Sequence, residues 1–168
     1  MAVETIRSIF GYDSSATEKM LSCCDRLDPA QLTQADDSPH GSIRNQLVHT
    51  FLIHKRWLSW ADGSLDGAAA YALQADPADY PDIQAIRAMW DGIDEQTRQF
   101  LGGMTEQDLH HELRVDQPGF EFAITIEKVM LHIALHSMQH RTETAQSLTR
   151  LGVSPGDVDY LFYVLENG

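Results

Sequence analysis

LHIALHSMQHRTETAQSLTRLGV, residues 131–153, is the stretch on which the reading of this chain turns. His132, His136 and His140 recur at i, i+4 and i+8. Successive members lie about 40° apart around a helix of ~3.6 residues per turn, so all three share one side of one helix. Val129 and Ile133 neighbour that side and point it inward, while Lys128 and Gln139 border it. The helix is expected from near Thr125 to Leu151, with Gly152 just past its end. Imidazoles one turn apart have Cβ atoms ~6 Å from each other and can meet at one divalent ion. His132 and His140 are ~12 Å apart along the axis, too far to share an ion on a straight helix. The spacing therefore offers His132 with His136, or His136 with His140, and a third ligand has to come from elsewhere.

The second histidine-bearing segment is HGSIRNQLVHTFLIHKRWLSWADG, residues 40–63. Ser42 is placed as an N-cap, and apolar periodicity begins at Ile43. Ile43, Leu47, Phe51, His54 and Leu58 form one stripe, and Gln46, His49, Ile53, Trp57 and Trp60 a neighbouring one. Together they make a wide inward face. His49 and His54 are ~140° apart around this helix, so only one of them shares a metal with the later helix. A buried histidine is more often a hydrogen-bonded core residue than a ligand, and that alternative stands beside the metal reading. His40, His110 and His111 read as loop residues.

Outward from these two segments the pattern remains helical. Residues 3–27 carry an apolar repeat that Gly11 is positioned to weaken or break, and ADDSPHG, residues 35–41, reads as a loop. A helix is expected from about Asp82 to Leu101, with Ile83, Ile86, Met89, Trp90, Ile93, Thr97 and Phe100 inward and Gly102–Gly103 as its stop. Residues 62–81 form a long connection with room for one short helical turn. Residues 111–123 alternate around Gln117-Pro118-Gly119 and predict a small β-hairpin. A last short helix is expected from about Ser154 to Leu165, with Ser154-Pro155 as N-cap and first helical residue. Four main helices with long connections suit an all-α bundle.

The chain has 168 residues, the size of one ordinary domain, and we read residues 1–168 as a single unit. Its 25 acidic against 12 basic side chains give a net charge of −13 with neutral histidines. That field opposes nucleic acid and anionic membranes as partners. Cys23 and Cys24 are adjacent, a poor geometry for a mutual disulfide, and read as reduced thiols on a helix with at least one in the core. With no signal peptide or apolar span legible, the expected location is the cytoplasm.

The two histidine-bearing segments together resemble the DinB/YfiT-like superfamily, in order and over nearly the whole chain. The resemblance implies a four-helix bundle of up-down-down-up connectivity. It also implies one divalent metal, zinc or nickel, held by three histidines. The first family ligand falls on His49, and the C-terminal motif HxxxHRGQ places the other two on His136 and His140, with Arg141 matching. His132 then sits one turn away, beside the site or in the core. Thr142 and Glu143 replace the motif's glycine and glutamine, which leaves Glu143 beside a ligand or on the surface.

Three neutral histidines leave an open metal position, the arrangement of catalytic rather than structural sites. The implied function is a metal-dependent enzyme acting on a small molecule, of S-transferase type with a low-molecular-weight thiol or of hydrolase type. The alternatives are a non-catalytic, stress-associated bundle in which the metal is structural, and a metal sensor. Trp57, Trp60, Tyr71, Met89 and Trp90 are candidates for a pocket over the metal, against core packing for each alone. A homodimer is the base-rate expectation for assembly.

Overall fold

The computed structural model describes residues 2–117 and 120–167. Seven α-helices are present among them: α1 (Ala2–Cys24), α2 (Pro29–Thr33), α3 (Ile43–Ala61), α4 (Gly67–Ala72), α5 (Ile83–Gly103), α6 (Ile126–Arg150) and α7 (Tyr160–Asn167). Two strands, β1 (Glu112–Gln117) and β2 (Phe120–Thr125), pair antiparallel from Glu112 opposite Thr125 to Gln117 opposite Phe120. The hairpin thus precedes the last long helix, as the alternation predicts. The turn expected at Pro118-Gly119 lies outside the described residues.

Local chemistry sets most helix starts. Ser42 accepts from the Asn45 amide at 3.2 Å and opens α3, and Asp82 accepts from Ala85 at 2.9 Å and opens α5. Asp28 and Gln31 cap α2 reciprocally, with Pro29 in its first turn. Each such cap satisfies an amide that has no partner within the helix.

The long helices bury apolar stripes against one another. α3 packs on α6 and α5, and α1 packs on α6 and α5, so the four close around a shared core. Met20, Leu58, Ile86, Ile93, Met130, Ile133 and Leu148 are its most completely buried members. Cys23 and Cys24 are both free and buried there, and burial raises the Cys24 thiol to about 12. No helix among the described residues is long and apolar enough to cross a membrane.

Two local expectations are corrected. α1 runs unbroken through Gly11. Its role there is close approach: a Cβ at Gly11 would collide with the Tyr163 hydroxyl of α7. The last helix begins at Tyr160, not after Ser154. Gly156 takes φ +69° and holds the chain out of helix, and Asp159 accepts from the Leu161 amide at 2.8 Å to start the turn later. The 62–81 connection holds α4, capped by Asp66, and a 3-10 turn at Pro77–Asp79.

Candidate metal centre

Packing of α3 on α6 turns the His49 face toward the histidine stripe of α6. The His136 and His140 rings are 4.3 Å apart between centroids, and His49 lies 4.8 Å from His140 and 5.3 Å from His136. The Nε2 atoms of His136 and His140 approach to 3.1 Å. Two nitrogens bound tetrahedrally to one ion at ~2.0–2.1 Å stand about 3.3 Å apart. The pair is already close to that spacing, so the donor set fits a divalent ion.

A fourth imidazole joins them. His40 stacks on His49 with centroids 3.7 Å apart and 22° between planes, and meets His140 edge-on at 5.3 Å. One ligand atom each from His40, His49 and His140 lies within 4.8 Å of the others, a cluster that could hold a metal ion. The sequence reading sets His40 aside as a loop residue. The loop, however, is pinned by polar contacts. Asp36 accepts from the Ser38 amide at 2.9 Å and from the Ser147 hydroxyl of α6 at 2.5 Å. The Gly41 amide donates to the Ser38 carbonyl at 2.9 Å, and the Asn45 side chain donates to the His40 carbonyl at 3.0 Å. Gly41, at φ +79°, turns the chain into the Ser42 cap.

Glu143 orients His140. Its Oε2 lies 2.7 Å from His140 Nδ1. The Gln46 amide nitrogen lies 2.5 Å from the same Nδ1. An ionised carboxylate only accepts, so when Nδ1 donates to Glu143 the Nε2 lone pair is left facing His136. This is the carboxylate–histidine arrangement that fixes the tautomer and raises the basicity of a metal-binding imidazole. Buried Gln46, one turn before His49, donates through Nε2 to the same Glu143 oxygen. Gln46 appears in the sequence only as an inward-facing position; its link to Glu143 crosses two helices, and no local pattern marks it.

Burial and neighbouring imidazoles keep His49 and His136 neutral. Burial, then His40 and His140, push His49 down to about 4. Burial, then His140, His49 and His132, push His136 down to about 3. Burial also lowers His40 and His132. Neutral imidazole is the form that binds metal, so His49 and His136 are in their ligand form at neutral pH.

His54, His110 and His111 lie apart from this cluster, and His132 borders it, 5.9 Å from His136 between centroids. His54 is buried on another face of α3, with Nε2 3.0 Å from the Thr97 hydroxyl of α5 and its ring against Phe10 and Trp90. His132 is exposed one turn before His136, its ring 4.9 Å from Trp57. His110 and His111 are exposed near the hairpin. Arg141, next to His140, points the other way and pairs with buried Asp13 of α1. Of the five pocket candidates, Trp57, Trp60 and Tyr71 line one cavity. Trp90 packs in the core and Met89 packs against it.

The model of the DinB family matches residues 1–167. No curated protein matches the chain.

Proposed function

The chain belongs to the DinB family, and from that premise we propose that it is a metal-dependent enzyme acting on a small molecule, with His49, His136 and His140 as its metal ligands. We further read the four long helices as the family's up-down-down-up bundle and the ion as zinc or nickel. One observation carries the reading: the Nε2 atoms of His136 and His140 converge to 3.1 Å while the Glu143 carboxylate lies within hydrogen-bond distance of His140 Nδ1. A bound ion supplies a Lewis acid that lowers the pKa of water or of a low-molecular-weight thiol. The chain's own residues do the rest. Glu143 holds the His140 tautomer, Gln46 holds Glu143, and burial keeps His49 and His136 unprotonated. The net charge of −13 favours a cation and disfavours nucleic acid, and we place the protein in the cytoplasm.

Metal content of purified wild type, His136→Ala and His110→Ala tests the site. The expected result is about one ion per chain in wild type and His110→Ala and almost none in His136→Ala. Equal occupancy in all three would overturn it. For the thiol reading, cobalt-substituted protein should change its visible spectrum on adding a low-molecular-weight thiol, and an unchanged spectrum counts against it.

The stacking of His40 on His49 favours a second reading. Four imidazoles can close a tetrahedral shell, and closed shells are structural. If His40 is a ligand and the ion structural, His40→Ala and chelation should each lower the melting temperature by a similar large amount. If the ion is catalytic with three ligands, His40→Ala should retain the metal and most of the stability.

A further inference from the structure

A cavity of about 300 Å³ lies along α3 beyond the histidine cluster. Ile53, Trp57 and Trp60 of α3 form one wall, Tyr71 of α4 a second, and Phe122 of β2 a third. These α3 residues follow His49 by four to eleven positions, which places them about 6 to 16 Å further along the helix axis. The cavity and the cluster are also joined through α6: the His132 ring is 4.9 Å from Trp57 and 5.9 Å from His136.

The walls are flat ring faces and edges. Trp57 and Trp60 are tilted at 40° with centroids 5.8 Å apart, and Phe122 meets Trp60 edge-on at 5.8 Å. Arg56 is withdrawn from a purely ionic role: its guanidinium lies over the Tyr71 ring at 5.5 Å, and its Nε donates to the Leu73 carbonyl at 3.0 Å. Gly67 keeps the slot open. A Cβ there would stand 3.2 Å from both Trp60 and Val115, so larger side chains would press into the space. Ligand pockets characteristically combine such apolar, aromatic walls with a few polar groups at one end. Here Arg56 is the charged group in the lining, and His49 stands one turn before Ile53 on the same helix.

We propose that this cavity binds the flat aromatic portion, one or two fused rings in size, of a small molecule whose polar end reaches the histidine cluster. The assignment rests on the metal-enzyme reading for the polar end alone; the aromatic subsite is a property of α3, α4 and the hairpin. Ring-on-ring contact at Trp57, Trp60 and Phe122 favours planar aromatic groups over branched aliphatic ones of equal volume. The separation along α3 requires a spacer between the ring and the metal-seeking group.

The probes are acetohydroxamic acid and a series of ω-(2-naphthyl)alkanohydroxamic acids with one to four methylenes, titrated by calorimetry into the zinc-loaded protein. The best naphthyl member should bind roughly 100-fold tighter than acetohydroxamate, from apolar area removed from water. Ala70→Leu, which fills the cavity from α4, should cut that advantage at least tenfold and leave acetohydroxamate unchanged. Val115→Phe fills it from β1 and gives the same reading should Ala70→Leu fail to fold. An advantage below threefold in wild type, or one of equal size in a folded cavity-filling variant, overturns the proposal. The matching naphthyl amides do not chelate and separate the two ideas. If the protein takes up no zinc, the metal reading fails. The aromatic subsite then survives only if the amides bind wild type and lose affinity in the filled variants.

Discussion

Two polar regions sit on neighbouring faces of the same two helices, and they are built to opposite rules. At one, His49 of α3 and His136 and His140 of α6 converge, with the Nε2 atoms of His136 and His140 facing each other. At the other, reached by stepping one residue from His140 to Arg141 and five from His49 to His54, every strong charge has its opposite. Arg141 pairs with Asp13, 6% and 4% exposed, and lies 5.3 Å from the Tyr12 ring. The closed region binds α1 to α6. The histidine cluster gathers groups of one kind, and burial together with the neighbouring rings lowers the basicity of His49 and His136. Such concentration of perturbed groups is a mark of functional rather than structural sites.

The difference can be broken most forcefully at Arg141. Arg141→Ala leaves Asp13 buried and unpaired, which should cost about 3–5 kcal/mol. For a chain of this size that lowers the melting temperature by roughly 10 °C. Replacing both partners, Asp13→Leu with Arg141→Met, should recover most of the loss. Thermal unfolding of the metal-free proteins checks this; a double variant no more stable than Arg141→Ala would show that the pair has a role beyond mutual neutralisation. His49→Ala, by contrast, removes a ring whose burial disfavours its charge, and should change metal-free stability much less.

A smaller effect sharpens the cluster side. Glu143→Gln keeps a hydrogen-bonding group of similar shape near His140 and Gln46 but removes the charge that holds the Nδ1 proton. Loss of such a partner characteristically weakens metal binding by ~10–100-fold. Zinc competition against a chromophoric chelator should show that loss, with little change in the melting temperature of the metal-free protein. Unchanged affinity would place Glu143 outside the ligand-orienting machinery.

How much of this was readable beforehand depended on how local each determinant is. The i, i+4 spacing of His136 and His140 and the inward position of His49 are properties of single helices, and they appear in the pattern. The choice of register did not follow from spacing; it came from the resemblance, and one helix brings His136 near both His132 and His140. His40 was unreadable for a different reason. Its position depends on Ser147 of α6 gripping Asp36 across 111 residues, and no window around ADDSPHG contains that information. Glu143 beside His140 is local i, i+3 spacing on α6, whereas its bond from Gln46 needs both helices docked. At the C-terminus, Ser154-Pro155 is a sound start signal overridden by Gly156 two residues on, where positive φ takes the chain out of helix.

The smallest expected effect lies in the acid limb of stability and returns to His54. Its ring is fully enclosed, and burial pushes it down to about 4, against the nearby carboxylates of Asp13 and Asp94 that raise it and Arg141 and Lys55 that lower it. A histidine with an ordinary value of 6.5 in the unfolded chain takes up a proton below that pH, while the folded protein refuses it until about 4. The unfolded state is therefore favoured progressively as pH falls from 6.5 toward 4, and the contribution is fully present above 6.5. For this one group the loss should reach about 1.4 kcal/mol by pH 5.5. His54→Gln removes the titration while keeping a group able to bond Thr97. Denaturant unfolding of the metal-free variant at pH 7.5 and 5.5 should show a smaller drop than wild type by about that amount. His49 and His136 act with the same sign, so the variant's acid limb should flatten without disappearing. An unaltered drop in His54→Gln would mean that acid sensitivity belongs to the cluster alone, which would separate the two regions still further.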